Sequence, residues 1–247
     1  MIRAGLPSHA MADDRQSSGE PSDQLGVLGD GFVRLDGSMA GDLSVVNAAR
    51  VSFGVRRSAM EAADSGLIRF LMRERHGSPF EHNSFRFHIR CPIFVVREWM
   101  RHRVSSFNEL SGRYTELADA FYVPAVGDVR TQVGKPGSYR FDPVDAERAE
   151  RTRTTIETTY TASFDAYRRM LDDGIAKEVA RLVLPVGLMT EFYWTVNARS
   201  LMNFLSLRNA ESAQYEIKQY AVAVEELFAR EMPETAKAFV ENDRLAP

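Results

Sequence analysis

The sequence predicts an α+β fold, in which helices predominate around a small, mostly antiparallel sheet. Residues 85–90 (FRFHIR) alternate strictly between Phe or Ile and Arg or His, which is typical of a half-buried strand. Residues 213–231 (AQYEIKQYAVAVEELFARE) carry apolar side chains at spacings of three and four, which predicts an amphipathic helix. No internal repeat and no second boundary interrupts the pattern, so we predict one domain.

That domain is predicted to span residues 25–247. Residues 1–24 contain no aromatic side chain and are rich in Ser, Asp, Gly and Pro. Such a composition buries too little apolar surface to offset the entropy cost of ordering. We therefore predict a disordered N-terminal extension.

The other elements follow from the same patterns. Pro92 suits a helix start, and Ile93, Val96 and Met100 step by three and four, with Val104 and Phe107 continuing the series. This helix is predicted to run to about His102 or beyond. Further helices are predicted at residues 42–53, 65–75, 144–172, 174–184 and 197–208, and strands at residues 32–35, 121–124 and 191–196. Residues 133–143, with two Gly and two Pro, are predicted to form an exposed loop.

Composition excludes several classes of protein. The formal net charge is -3, so the chain lacks the overall positive field of most nucleic-acid-binding proteins. Its single cysteine, Cys91, cannot form an intramolecular disulfide or a cysteine-rich zinc module, which fits the cytoplasm. No apolar run has the length of a membrane span, and residues 3–10 do not resemble a signal peptide.

Polar residues concentrate in four places that are candidates for a binding site. They are HGSPFEH (76–82), RHRVSSFNELSGRY (101–114), Arg181 within KEVARLVLP, and NARSLMNFLSLR (197–208). Taken singly, Arg181 or Arg208 is better explained by a side chain that reaches solvent or pairs with a carboxylate than by a ligand contact. Four such clusters favour a site for phosphorylated planar ligands, because arginine binds phosphate and carbonyl groups through a rigid set of donors.

Other kinds of chemistry have weaker support. His76, His82 and His88 are spaced by six, there is no HExxH, and we predict no metal site. Cys91 is interpreted as a small buried residue, and Ser111 as a hydrogen-bond donor, in preference to nucleophiles. The chain has neither GxGxxG nor a P-loop, so a nucleotide cofactor would need another kind of cradle.

The segment RHRVSSFNELSGR resembles the signature RHRxxSxNExSxR of the flavin-dependent thymidylate synthases, and all eight defined positions match. HGSPFEH, VARLVLP and TVNARSLMNFLSLR resemble other segments of the same family, so the resemblance covers roughly residues 30–242. It implies the fold of that family and a homotetramer with active sites shared between subunits. It also implies conversion of dUMP to dTMP, with methylenetetrahydrofolate as carbon donor, FAD as hydride carrier and NADPH as reductant.

The resemblance also implies roles for individual residues. It assigns FAD binding to His76, Ser78, Glu81, Arg101, His102, Arg103, Glu109, Asn197, Arg199 and Asn203. It assigns dUMP binding to Glu98, Arg101, Glu109, Leu110, Ser111, Gly112, Arg113, Arg181 and Arg208. Arg208 is further implied as the catalytic residue, a fixed cation beside the pyrimidine.

Two positions differ from the pattern expected of close relatives. Residue 98 is Glu in place of Gln, and residue 212 is Ser in place of the His that some relatives carry. We expect Glu98 to pair with Arg101 or His102, since a carboxylate near a phosphate is otherwise unfavourable. Two alternative functions remain open: a non-catalytic regulatory flavin- and nucleotide-binding protein, and a nucleic-acid-binding protein that uses the RHR cluster.

Overall fold

Five antiparallel strands form the main sheet of the protein, and two more form a separate hairpin. A computed structural model describes residues 23–247 of the chain. The strands are β1 Gln24–Val27, β2 Gly31–Met39, β3 Ser84–Pro92, β4 Ser106–Glu109, β5 Arg130–Lys135, β6 Ser138–Pro143 and β7 Met189–Asn197. The main sheet has the order β1-β2-β3-β7-β4, and β5 pairs with β6 in the hairpin. This architecture confirms the predicted α+β class.

Nine helices of at least four residues occur within residues 23–247. They are α1 Asp42–Arg50, α2 Asp64–Arg73, α3 Ser78–Glu81, α4 Ile93–Trp99, α5 Ala146–Asp172, α6 Lys177–Ala180, α7 Ala198–Arg208, α8 Tyr215–Glu231 and α9 Pro233–Glu241. Short 3₁₀ turns occupy Val51–Phe53, Val126–Asp128 and Arg181–Val183. None of the helices in this part of the chain is both long and apolar enough to cross a membrane.

The core lies between one face of the sheet and the helices α4, α7 and α8. The alternation predicted for residues 85–90 is confirmed, since Phe85, Phe87 and Ile89 are fully buried. Trp99 of α4 packs edge-on against Trp194 of β7, with ring centroids 5.3 Å apart. These large apolar side chains fix α4 and α7 against the sheet, and the ends of these two helices carry the candidate site.

The first strand lies at the start of the described residues. Residues 1–22 of the predicted extension lie outside the described residues, and Gln24 is already the first residue of β1. Asp23 accepts a hydrogen bond from the backbone N–H of Leu35 at 2.7 Å.

The predicted extent of the helix that follows Pro92, to about His102 or beyond, is wrong. α4 ends at Trp99, and residues 106–109 form β4 at the edge of the sheet. There Phe107 lies opposite Trp194. Pairing with β7 supplies the backbone hydrogen bonds of this segment. The side chains of Ser105, Ser106 and Asn108 can bond to nearby backbone groups, and such bonds compete with the backbone hydrogen bonds of a helix.

Three other local predictions also need correction. Residues 121–124 form no strand but only a single bridge between Phe121 and Leu188. Residues 133–143 are exposed but belong to the β5–β6 hairpin, because Pro136 and Gly137 close a two-residue turn. The helix predicted at residues 174–184 shortens to α6 and a 3₁₀ turn.

Candidate active site

A cavity of about 1590 Å³ opens between the end of α4, the end of α7, the start of α8 and the β5–β6 hairpin. Six of the residues implied by the family resemblance line it: Glu98, Arg101, His102, Arg103, Asn203 and Arg208. Ser212 and Glu211 also line it. The cavity wall therefore combines residues 101–103, which begin the RHR signature, with residues of α7, about one hundred positions further along the chain.

Arg208 lies at the centre of a hydrogen-bond network. It is the last residue of α7, one turn beyond the buried Phe204. Its Nη1 donates to Glu98 Oε2 at 2.7 Å, its Nη2 to the Glu98 carbonyl oxygen at 3.1 Å, and its Nε to His102 Nε2 at 3.0 Å. A guanidinium held by three acceptors on the α4 side presents its cation in a fixed direction.

Glu98 pairs with neither of the residues expected for it. The expectation of a partner at Arg101 or His102 assumed that α4 continues, whereas it ends at Trp99. Glu98 binds Arg208 instead, across the cavity wall. The carboxylate thus compensates the charge of the residue implied as catalytic.

His102 is neutral at physiological pH. Burial, together with the positive charges of Arg208 and Arg101, lowers the pKa of its imidazole to about 4. A neutral ring also fits the hydrogen bond that His102 Nε2 accepts from Arg208 Nε. The imidazole packs edge-on against the Phe204 ring, with centroids 5.0 Å apart. His102 is therefore a hydrogen-bond acceptor in this network and not a second cation.

Three cations in the cavity wall form no ion pair within residues 23–247: Arg101, Arg103 and Lys218. Arg101 and Arg103 are exposed, while Lys218 is half-buried on α8. Unpaired cations in a concave wall attract anions, because the surrounding protein keeps water from fully screening them. The cavity is therefore suited to a ligand with phosphate groups.

A second group of implied residues lies outside the cavity lining, at the far end of β4. Its members are Glu109, Leu110, Ser111, Gly112, Arg113 and Arg181. Glu109 accepts from Thr190 Oγ1 at 2.9 Å, and the Leu110 N–H donates to the Glu191 carbonyl at 2.8 Å, so both are fastened to β7.

The loop that contains Gly112 and Arg113 lies against Arg181. Arg113 forms an exposed ion pair with Glu178 at 3.1 Å. A Cβ on Gly112 would lie 2.9 Å from Leu117 Cδ1 and 3.3 Å from Arg181 Cδ, so a larger residue would require these two side chains to shift. Leu117 in turn is held by α5, because its N–H donates to Tyr167 Oη at 3.0 Å.

A third group surrounds the start of α7. Arg199 donates to Glu81 Oε1 at 2.6 Å and to the Pro247 carbonyl at 2.8 Å. Gly77 lies against it, since a Cβ there would be 2.4 Å from Arg199 Nε. Asn197 caps α7 by accepting from the Ser200 N–H at 2.9 Å, so this side-chain oxygen already has a local structural role.

His76 and Ser78 belong to the same region. His76 is exposed and packs edge-on against Phe70, with centroids 5.8 Å apart, and Ser78 is the exposed first residue of α3. Neither residue lines the cavity within one chain.

The three groups are well separated within one protomer. Glu109 lies beside Phe192, and Asn197 is five residues further along β7, a distance of roughly 17 Å at the usual strand rise. Arg199 and Arg208 lie near opposite ends of α7, about 14 Å apart along its axis. The implied residues therefore fall into three separate groups in one chain.

Sequence reasoning missed the contribution of the hairpin. Arg130, Gln132, Tyr139, Arg140 and Phe141 all line the cavity, although this segment was predicted only as a loop. Arg130 attaches the hairpin to α8 by an ion pair with the buried Glu216 at 3.0 Å and by lying over the Tyr215 ring. The signal was available in the Pro-Gly turn flanked by alternating apolar residues.

Nucleophilic and metal chemistry have no visible setting in the described chain. Cys91 is fully buried, and burial raises the pKa of its thiol well above the usual value. Within residues 23–247 no three His, Cys, Asp or Glu side chains are grouped as metal ligands.

Comparison with known proteins gives a consistent assignment. The sequence model of the family described as Thymidylate synthase complementing protein matches residues 35–234. A flavin-dependent thymidylate synthase of Pseudothermotoga lettingae is 49% identical over 214 residues, covering 87% of this chain and 92% of the relative. Another, of Streptomyces avermitilis, is 46% identical over 242 residues, covering 92% and 98%.

Solved structures agree. The UMP/dUMP methylase PolB of Streptomyces cacaoi bound with 5-Br UMP superposes with a TM-score of 0.82 at 46% identity, covering 88% of this chain and 97% of that one. The same enzyme bound with 5-Br dUMP gives a TM-score of 0.83 at 44% identity, covering 90% and 100%. The chain belongs to the flavin-dependent thymidylate synthases, a family of methyltransferase enzymes.

Proposed function

We propose that the protein converts dUMP to dTMP in the cytoplasm by reductive methylation, with methylenetetrahydrofolate as carbon donor and NADPH as reductant. The observation that carries this proposal is the fixed guanidinium of Arg208, which lies in a cavity with the unpaired cations Arg101 and Arg103. Such an arrangement suits a nucleotide whose pyrimidine develops negative charge during the reaction.

The cavity residues fit a flavin dinucleotide. Arg101 and Arg103 are available for its phosphates, and Asn203 is exposed at the cavity wall. The volume, about 1590 Å³, exceeds the roughly 300–1,000 Å³ of typical single-ligand pockets, so the cavity has room for more than one ligand. FAD, when bound, supplies hydride transfer that the side chains cannot perform.

In this proposal Arg208 acts on the uracil. Its cation stabilises negative charge at the N3–C4 side of the ring, and neutral His102 holds the guanidinium plane without adding charge. Ser111, Gly112 and Arg113 bind the nucleotide phosphate, with Arg113 exchanging its exposed partner Glu178 for the more highly charged phosphate. Glu109 and Leu110, which are fastened to β7, orient that loop.

We further propose that copies of the chain complete each active site by forming a homotetramer. The separation of the three groups within one chain supports this assembly, because residues from more than one copy could then meet around one ligand. His76, Ser78, Glu81 and Arg199 would then complete the flavin site, and Arg181 the uracil site, next to an Arg208 of another copy.

No protein nucleophile is required in this proposal. Cys91 is inaccessible, so the attack on uracil by a cysteine that the other class of thymidylate synthase uses has no counterpart here.

The proposal is tested by reconstituting the protein with FAD and adding dUMP. We expect dUMP to change the flavin absorbance spectrum and NADPH oxidation to depend on dUMP, with dTMP formed when methylenetetrahydrofolate is present. A spectrum that ignores dUMP would contradict the proposal. Flavin binding without dUMP-dependent turnover would favour a regulatory flavoprotein, and steeply salt-dependent binding of polynucleotides would favour a nucleic-acid-binding protein.

UMP is the informative competitor, because the similar PolB structures are of an enzyme titled a UMP/dUMP methylase. We expect dUMP to be the preferred substrate of this chain. The ratio of kcat/KM for the two nucleotides measures that preference.

A further inference from the structure

The β5–β6 hairpin carries two aromatic side chains on the wall of the main cavity, and the function proposed above gives them no task. Tyr139 and Phe141 are 43% and 50% exposed, although both line the cavity. Their ring centroids are 6.3 Å apart, so they occupy the same face of β6. Two large rings side by side on a cavity wall present an apolar surface to any ligand in the cavity.

The geometry of the hairpin keeps the face of Tyr139 open. Tyr139 lies opposite Gly134 in the register of the hairpin, so no cross-strand side chain covers its ring. Gly134 has φ of 111°, and a Cβ there would lie 2.5 Å from the Ser138 carbonyl oxygen. A larger residue is therefore excluded from this position by both backbone strain and contact.

The contacts of Arg130 attach the hairpin to α8. Arg130 lies 6.0 Å from the Phe141 ring centroid and 4.6 Å from the Tyr215 ring centroid, and it pairs with Glu216. Glu216 is buried, so the cation is held in a partly dehydrated setting where such contacts are strong. The aromatic pair is thus positioned relative to α8 and does not move freely with the loop.

One cation on this side of the cavity is available to an anionic group. Lys218 lines the cavity without an ion partner in residues 23–247, whereas Arg140 is already paired with Asp142 at 2.9 Å. Two carboxylates, Asp128 and Glu211, also line the cavity, and Asp128 is hydrogen-bonded by Tyr215. Lys218, which the flavin site proposed above does not use, is therefore available to a negatively charged tail.

We propose that Tyr139 and Phe141 form a stacking subsite for a planar heteroaromatic ring that bears an anionic tail. The identity of the ring rests on the proposed function, which offers two co-substrates. The ring is either the pterin or aminobenzoyl ring of methylenetetrahydrofolate, with its glutamate, or a ring of NADPH, with its phosphates. The cavity volume supports a ligand additional to FAD and dUMP.

The test compares three full-length holoenzymes with the wild type. They are the double variant Tyr139→Ala/Phe141→Ala, the conservative double variant Tyr139→Phe/Phe141→Tyr, and the matched control Val133→Ala. Val133 is 48% exposed on the same hairpin, but it does not line the cavity. FAD content, thermal midpoint and oligomeric state are measured first for each protein.

We expect the double alanine variant to raise the KM of one co-substrate by about 5- to 30-fold, the effect of losing an aromatic stacking partner. The co-substrate affected, methylenetetrahydrofolate or NADPH, identifies the source of the ring. The conservative variant and Val133→Ala are expected to keep both KM values within about twofold of wild type.

Three outcomes would overturn the subsite: both KM values unchanged in the double alanine variant, an equal change in Val133→Ala, or a change of oligomeric state, which would make the rings a contact between copies. If dUMP does not change the flavin spectrum of the wild-type protein, the proposed function is contradicted instead. Direct titration with each co-substrate then tests the subsite separately. An unchanged affinity in the double alanine variant would count against the subsite.

Discussion

Replacing Glu98 by Gln isolates the contact that holds the implied catalytic residue. The glutamine keeps the shape of the side chain and can still accept from Arg208 Nη1, but it removes the negative charge 2.7 Å from the guanidinium. In the proposed function, a nucleotide must compete with that carboxylate for Arg208. The substitution should therefore strengthen nucleotide binding.

The magnitude follows from the ionic part of the contact, because the glutamine oxygen still accepts a hydrogen bond from the charged guanidinium. Exposed ion pairs contribute about 0.2–1 kcal/mol, and a pair that is partly shielded from water contributes more. The side chains of Arg208 and Glu98 are only 15% and 30% exposed, so water screens this pair incompletely. A difference of roughly 1–1.4 kcal/mol corresponds to a Kd for dUMP about 5- to 10-fold lower in Glu98→Gln.

The assay is a dUMP titration of the flavin absorbance in the reconstituted wild-type and variant proteins. Glu211→Gln is the matched control, because Glu211 lines the same cavity but has no contact with Arg208 among residues 23–247. A general loss of negative charge affects both variants alike, whereas release of Arg208 affects only Glu98→Gln. A Kd that is unchanged or higher in Glu98→Gln would refute the reasoning.

Three further predictions test the remaining parts of the site. Arg208→Ala should fold and bind FAD but lose about 10²–10³-fold in kcat, as when a single preorganised charge donor is removed; near-wild-type rates, with exposed Arg73→Ala as control, would contradict its role. Cys91→Ala should retain activity and lose about 1 kcal/mol of stability, checked by turnover and urea unfolding, since the thiol is buried; an inactive but folded variant would count against this. His102 has a folded pKa of about 4, below its ordinary value of 6.5, so its contribution to stability is complete above pH 6.5 and is lost as the pH falls toward 4. His102→Gln should weaken the pH dependence of unfolding free energy in that window, and an unchanged slope would show that His102 is not buried as a neutral ring.

Local pattern was sufficient for the elements that form the core. The alternation around Phe85, Phe87 and Ile89 and the apolar face of residues 213–231 reflect burial on one side, which a period of two or of 3.6 residues reports directly. It was insufficient at β4, where Phe107 continues a helical spacing by chance. There, the pairing of this edge strand with β7, more than eighty residues away, decides the backbone conformation.

The candidate site divides in the same way. The residue types of the RHR signature and of the α7 segment already favoured a ligand with phosphates, because Arg, Asn and Ser in that density suit few other roles. Their partners could not be predicted, since the contact of Arg208 with Glu98 joins residues 110 positions apart. It depends on how Trp99 and Phe204 pack α4 against α7.

The sequence by itself determined the α+β class, the buried face of the sheet and the identity of the chemical groups, because periodicity and side-chain chemistry are local properties. Only the tertiary structure decided that Glu98 neutralises Arg208, that burial and two neighbouring cations keep His102 uncharged, and that the hairpin carries aromatic rings into the cavity. These features depend on distances and burial between distant segments, which are set when the helices and the sheet pack together.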